Sequence, residues 1–346
     1  MIYKWLCTYV INDMNGIGEV TDKLPARWSL FLALMLAFSF GASYLALRYL
    51  KAILPKDQGR EFAVNGELSQ GKARGCGLLF ITTFTFSTAL FVPLTVEYIV
   101  YLVCIYGAML TGYFDDAAKV PWGNLKKGLF DLAISVGVAV DYWYFNGSDV
   151  KVPLFGLKFH IPAVIFIVLA GVLVWTSINV TNCSDGVDGL CCTQVMVVLV
   201  SLVITSGVLS GNMSSSFFSL IPLVMLATLA AYLWFNCSPS SMLMGDAGSR
   251  ALGVLLAVLF LLSRAPFSFI PLCLVLILDG GLSLLKVSFI RFLHMKDFMK
   301  NIRTPIHDHE RKNKGWSDTQ VVLRFVIIQA VISLCYIGAA NWALIY

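Results

Sequence analysis

Long apolar runs, broken by short polar turns, recur along the 346 residues of this chain. Taking runs near the ~20 residues that cross a hydrocarbon core of ~30 Å gives about ten, at roughly 28–50, 76–93, 96–114, 128–145, 160–179, 189–208, 216–235, 250–264, 266–291 and 320–344. Each is predicted to be a helix, because lipid offers backbone N–H and C=O groups no partner. The expected fold is therefore an all-α polytopic membrane protein of about ten transmembrane helices. Without a repeat at solenoid periods or an evident inverted repeat, residues 1–346 are read as a single domain.

Composition supports a membrane protein, since 58% hydrophobic and 13% charged residues lie outside the balance of soluble domains. Basic residues then set the orientation. Lys51, Lys56, Arg60, Lys72 and Arg74 follow the first run, and Lys119, Lys126 and Lys127 follow the third. Arg291, Lys296, Lys300, Arg303, Arg311, Lys312 and Lys314 follow the ninth. These loops are expected on the cytoplasmic side. The alternate loops hold little beyond Lys151, Lys158 and Arg264 and are expected outside, and an even count places both termini outside. The first 27 residues carry an apolar patch, Trp5–Ile11, broken by Asn12 and Asp13 with no small-residue cleavage site, so no signal peptide is predicted. Nine cysteines without a CxxC pair indicate neither a disulfide framework nor a zinc site.

Three acid-bearing turns stand at the ends of apolar runs. Asp115 and Asp116 close the third, where a helix C-terminus already carries partial negative charge. A cation must compensate: Lys119, Lys126, Lys127 or Mg²⁺, the last usually held by one or two carboxylates and substrate phosphates. The alternative is a solvated loop with acids paired to lysines. Asn179, Asn182, Asp185 and Asp188 recur at three-residue intervals, close to one face if helical, and Gly186 and Gly189 allow close approach to the backbone. That surface offers acceptors for a metal or hydroxyls and amides for a base or sugar, or else it is an Asn-rich turn with Asp188 as helix cap. In Gly245-Asp246-Ala-Gly-Ser249, free N–H groups surround one acid, the makings of an anion-binding turn. On one membrane face, the three turns would converge on one cation and one phosphorylated substrate.

The last basic loop carries His307 and His309 around Asp308, a pattern fitting phosphate recognition better than structural zinc. Asp131, Asp141 and Asp279 fall within or near spans and should face the bundle interior or water. Asp279, before a Gly-Gly break, is read as structural.

Phe114-Asp115-Asp116, Asn182-Cys-Ser-Asp185-Gly-Val-Asp188-Gly-Leu, Phe235-Asn236 with Met244-Gly245-Asp246-Ala-Gly-Ser249, and Pro305-Ile-His307-Asp-His309 with Gly315-Trp316 resemble the polyprenyl-phosphate N-acetylhexosamine-1-phosphate transferase superfamily. The resemblance covers nearly the whole chain and is nearest to its phospho-N-acetylmuramoyl-pentapeptide transferase branch. Three departures stand out: Asp308 inside the histidine run, Leu243 where the family has an aromatic residue, and Lys72-Ala-Arg74-Gly-Cys-Gly in the first loop.

The resemblance implies Mg²⁺-dependent transfer of phospho-MurNAc-pentapeptide from UDP-MurNAc-pentapeptide to undecaprenyl phosphate, giving lipid I and UMP. It also implies a multi-pass protein of the bacterial plasma membrane with a cytoplasmic active site, a homodimer, binding of nucleoside antibiotics and no nucleic-acid partner. Asp246 is the implied first metal ligand, with Asp115 and Asp116 contacting metal or taking a proton from the lipid phosphate, and His307 joins them as a catalytic residue. Lys72, Lys119 and Lys127 would contact phosphate. Asn182, Asp185, Asp188, Asn236 and His309 would contact nucleotide and sugar. The alternatives are a GlcNAc-1-phosphate transferase, sharing the acidic core, and a secondary transporter, whose acids should lie near midplane.

Overall fold

A computed structural model describes residues 23–59, 69–118, 120, 122–210, 217–295 and 297–345. The patch Trp5–Ile11, Arg60, Lys119 and Lys296 lie outside the described residues. The chain runs through α1 (Lys23–Leu50), α2 (Gly77–Phe91), α3 (Val96–Asp116) and α4 (Asn124–Asn146) to a hairpin of β1 (Asp149–Val152) and β2 (Leu157–His160). It continues as α5 (Ala163–Cys183), α6 (Leu190–Ser210), α7 (Phe217–Asn236) and α8 (Gly245–Leu262). Short helices α9 (Phe269–Leu272) and α10 (Leu274–Leu276) lead through a π-turn, Ile277–Gly281, to α11 (Leu282–Phe292), α12 (Ile306–Lys314) and α13 (Asp318–Ile345).

Among the described residues, α1, α3, α4, α5, α8 and α13 are long and apolar enough to cross a membrane. Three shorter apolar helices, Gly77–Phe91, Leu190–Thr205 and Leu220–Asn236, account for three more of the expected runs. The run expected as one straight span at 266–291 is broken, bent by 74° between Pro266–Leu272 and Leu274–Phe292. Pro271 cannot donate to the helical ladder, and the π-turn leaves further backbone groups to be satisfied. Buried Gln329 of α13 meets that need, accepting from Val275 N at 2.9 Å and donating to Pro271 O at 3.1 Å.

The all-α expectation is also corrected, by the hairpin. Its strands pair antiparallel with Val150 opposite Phe159, and Gly156 takes the positive φ of 61° that the turn requires. Lys151 N donates to Arg264 O at 2.7 Å, tying the hairpin to the far end of α8.

Helix α8 organises the bundle. Every residue from Gly245 to Leu261 is buried, with α2, α3, α4, α5 and α6 packed around it. Beyond Arg250 the helix is apolar on all sides, which fits such a position. Small residues let neighbours close in: Gly112 of α3 lies against the Asp246–Ala247 peptide, and Gly253 of α8 lies against Ser177–Ile178, with Ser177 Oγ donating to Gly253 O at 2.7 Å. The outer helices keep large apolar side chains exposed, among them Leu30, Val103, Val164 and Val331, as helices facing acyl chains do. The chain is a polytopic, mostly helical membrane protein. The C-terminal ends of α3, α5 and α7 and the N-terminal ends of α4 and α8 meet at one end of the bundle, opposite the hairpin.

Candidate active site

Asp116, the last residue of α3, has its side chain wholly withdrawn from solvent against the start of α8. Its Oδ2 accepts from Ala247 N at 3.1 Å, and its Oδ1 accepts from Arg74 Nε at 2.9 Å. A helix N-terminus stabilises such a carboxylate through free N–H groups and the positive end of its dipole. Gly245 makes the approach possible, since its φ of 68° suits glycine and a side chain there would overlap the Asp116 carboxylate.

Asp115 and Asp246 share one cation. Lys127, in the first turn of α4, sets its Nζ 2.5 Å from Asp115 Oδ2 and 3.2 Å from Asp246 Oδ2. Asp115 Oδ1 also accepts from Trp122 N at 2.7 Å. The neighbouring Lys126 turns away, with Nζ 3.4 Å from the Trp122 ring centroid.

Arg74 extends the network into the first polar loop. Its Nη1 donates to Asp57 Oδ1 at 3.0 Å, and Asp57 Oδ2 accepts from Ser69 Oγ at 2.5 Å and Gly59 N at 3.2 Å. Burial opposes the Arg74 charge, but Asp116, Asp246 and Asp57 outweigh it and hold the guanidinium above the usual arginine range. Backbone bonds fasten this loop to the segment before α8: Leu243 N donates to Ala73 O at 2.8 Å and Cys76 N to Leu243 O at 3.1 Å.

The second acidic turn joins from α5. Asp188 accepts from Ser240 N at 2.9 Å and lies 3.8 Å from Lys72 Nζ, which donates to Ser240 Oγ at 3.1 Å. Asn236 is buried and braces the site: its Oδ1 accepts from Gly189 N at 3.0 Å and its Nδ2 donates to Met242 O at 2.9 Å. Asn182 and Asp185 are half-buried on the same turn, whereas Asn179 spends its amide on Trp175 O of its own helix.

His307 enters from α12. Asp279, buried in the π-turn, accepts from the His307 backbone N at 2.8 Å and takes Nδ1 at 2.8 Å, which points Nε2 at Gly186. A side chain on Gly186 would overlap that nitrogen, so imidazole and acidic turn are in direct contact. His309 is turned elsewhere, its Nδ1 accepting from Arg303 N at 3.3 Å. The structure thus gathers Asp115, Asp116, Asp246, Lys127, Lys72, Asp188, Asn236 and His307 at one end of the bundle.

Arg74, Asp57 and Asp279 complete this network without having been selected from the sequence. Only the basic character of the first loop pointed toward Arg74. One helical turn inside the cluster, Arg250 of α8 pairs with Asp131 of α4, both buried.

Among the described residues no three His, Cys, Asp or Glu side chains converge enough to hold a metal alone. Yet four carboxylates, Asp57, Asp115, Asp116 and Asp246, face two cations, Arg74 and Lys127, leaving a formal surplus of two negative charges. Asp246 is the most open of the three helix-end acids, 13% exposed against 4% for Asp115 and 0% for Asp116. Hard oxygen donors with one accessible carboxylate fit Mg²⁺ that takes its remaining ligands from substrate phosphates and water.

The model of glycosyl transferase family 4 matches residues 98–264, which include α8 and the acidic turns. The chain is 35% identical over 331 residues to a phospho-N-acetylmuramoyl-pentapeptide-transferase of Treponema pallidum (strain Nichols), covering 91% of both chains. An enzyme of the same name from Francisella tularensis subsp. novicida (strain U112) is 30% identical over 290 residues, 76% of this chain and 78% of the relative. One from Wolbachia sp. subsp. Brugia malayi (strain TRS) is 28% identical over 271 residues, 75% of this chain and 81% of the relative. With these matches and this arrangement of acids around α8, the chain belongs to the phospho-N-acetylmuramoyl-pentapeptide-transferases of glycosyl transferase family 4.

Proposed function

We propose that this protein transfers phospho-MurNAc-pentapeptide from UDP-MurNAc-pentapeptide to undecaprenyl phosphate, producing lipid I and UMP for peptidoglycan synthesis. The observation that carries this reading is the placement of Asp115, Lys127 and Asp246 at helix ends, on one side of the bundle. A transporter would hold its acids near the midplane, but Asp115 lies in the last turn of α3 and Asp246 is the second residue of α8.

An oxygen of the lipid phosphate attacks the sugar-bearing phosphorus of the donor, the bond from that phosphorus to the UMP oxygen breaks, and UMP leaves. Mg²⁺, when bound, neutralises charge on the pyrophosphate oxygens. Asp246 is the residue to hold it, with Asp115 adjacent. Lys127 lies between these two acids and offers a cation to a phosphate entering beside them. Asp116 is fixed by Arg74 and Ala247 N and serves as a rigid acceptor that orders the start of α8. A phosphate monoester is largely ionised near neutral pH, so orientation contributes more than proton removal. Lys72 and Asp188 line the approach for nucleotide or sugar, and His307 presents Nε2 beside Gly186.

In this reading the aspartate end faces the cytoplasm of a bacterial cell, the bundle crosses the plasma membrane about ten times, and both termini lie outside. A homodimer and inhibition by nucleoside antibiotics extend the same reading. The test is UMP release by purified protein in detergent. Release should require both undecaprenyl phosphate and UDP-MurNAc-pentapeptide, stop with chelator and resume with Mg²⁺. UMP released without the lipid acceptor would overturn the transferase assignment.

A further inference from the structure

A cavity of about 660 Å³ opens between α11 and the stretch 300–304. Lys286, Lys300 and Arg303 bring three cations to it, Asn313 adds an amide, and Val287 and Ile290 give it an apolar wall. Lys286 Nζ donates to Ile302 O at 2.7 Å, which fixes its place while leaving two N–H groups free. Lys300 is 3.3 Å from Asp297, a surface pair that water largely screens. The cleft therefore keeps a surplus of positive charge and favours an anionic ligand with apolar parts.

Its place in the fold limits what that ligand is. Helix α11 follows the π-turn that carries Asp279, and α12 carries both His307 and Asn313. The Asp279–His307 clasp thus ties the cleft to the acidic site. Asn313 stands six positions along the helix from His307, a rise of about 9 Å, and an extended peptide covers that distance in about three residues. Arg303 is held to the same side, its backbone N donating to His309.

We infer that this cleft binds the carboxylate-bearing peptide of the donor substrate, with Lys286 and Arg303 contacting its acid groups. The inference rests on the proposed muramoyl-peptide donor. A peptide joined to the sugar through its N-terminal end carries a free C-terminal carboxylate, the group these cations suit.

The test compares calorimetric affinities of the full chain in detergent for UDP-MurNAc-pentapeptide and for the same donor with its peptide carboxylates capped as amides. The acid form should bind at least tenfold more tightly. Lys286→Ala with Arg303→Ala should erase that difference and leave the capped form's Kd unchanged. Should the double variant not fold, raising salt from roughly 0.05 to 0.5 M on the unaltered protein should erase the difference instead. Equal affinities for the two forms, or variants that weaken both alike, overturn the peptide site. If the variants instead lose bound phosphatidylglycerol while both donor affinities stand, the cleft is a lipid headgroup site. Binding of neither donor form by the unaltered protein would remove the proposed function itself, a result distinct from equal binding of both.

Discussion

His307 Nδ1 lies 2.8 Å from Asp279 Oδ2, joining side chains 28 residues apart, each only 2% exposed. The carboxylate fixes the ring and accepts the His307 backbone N–H as well, so the imidazole has one orientation, with Nε2 against Gly186. His307→Ala should lower kcat/KM for the muramoyl donor about 10- to 100-fold, the worth of a hydrogen bond to a charged group, and leave the Mg²⁺ requirement unchanged. Asp279→Asn should do much the same, and the double variant should be no worse than the poorer single one, because the two residues act as a unit. A Mg²⁺ requirement that rises steeply in His307→Ala would place the histidine among the metal ligands.

Asp246→Asn should abolish turnover while leaving the fold intact. The carboxylate answers to two cations, Lys127 at 3.2 Å and the metal it is proposed to hold. Loss of that charge should exceed tenfold in rate, about 1.4 kcal/mol of barrier. A rate above about a tenth of the original, measured on protein with unaltered thermal unfolding, would contradict a central role.

Arg250 and Asp131 offer a stability test apart from the acids themselves. Both are buried between α8 and α4, and the Arg250 Nε and Nη1 atoms have no protein partner. Asp131→Asn leaves a buried charge unpaired and should cost about 3–5 kcal/mol, whereas combining Asp131→Leu with Arg250→Met should recover most of that loss. Thermal unfolding in detergent reads the difference. A double replacement as unstable as Asp131→Asn would show that the ion pair has a role that apolar packing cannot fill.

Cys237 is exposed just beyond α7, at the aspartate end, while Lys151 lies in the hairpin at the other. A membrane-impermeant maleimide added to intact cells should therefore label Lys151→Cys and spare Cys237, and inverted vesicles should show the opposite. Cys76 should remain unlabelled in both, because it is wholly buried. Labelling of Cys237 from outside would reverse the orientation of the site.

Asp115, Asp116 and Asp246 were legible because a carboxylate at the end of an apolar run stands out against its neighbours, and the basic-loop asymmetry put all three on one side. Lys127 could not be told from Lys126 by position. The choice depends on which rotation of α4 faces α8, and Lys126 stacks on Trp122 instead. Arg74 with Asp57, and His307 with Asp279, were not legible as partners, since each pair forms only after distant segments dock. Asp279 carried the weakest signal: an acid before Gly280-Gly281 indicates a break, but not which side chain fills it. The bend at 266–291 was hidden by unbroken hydropathy, although Pro271 marks where it falls. The hairpin left a clearer trace in the alternation Asp149-Val-Lys-Val152 and the turn glycine Gly156, which a search for apolar runs passes over.

The most direct measurement offers the purified protein a mixture of UDP-MurNAc-pentapeptide and UDP-GlcNAc with undecaprenyl phosphate and Mg²⁺, and identifies the lipid product by mass. The predicted product is undecaprenyl pyrophosphate carrying the muramoyl pentapeptide, with UMP in equal amount. A lipid carrying GlcNAc alone would contradict the account and assign the acidic site to the GlcNAc-1-phosphate branch.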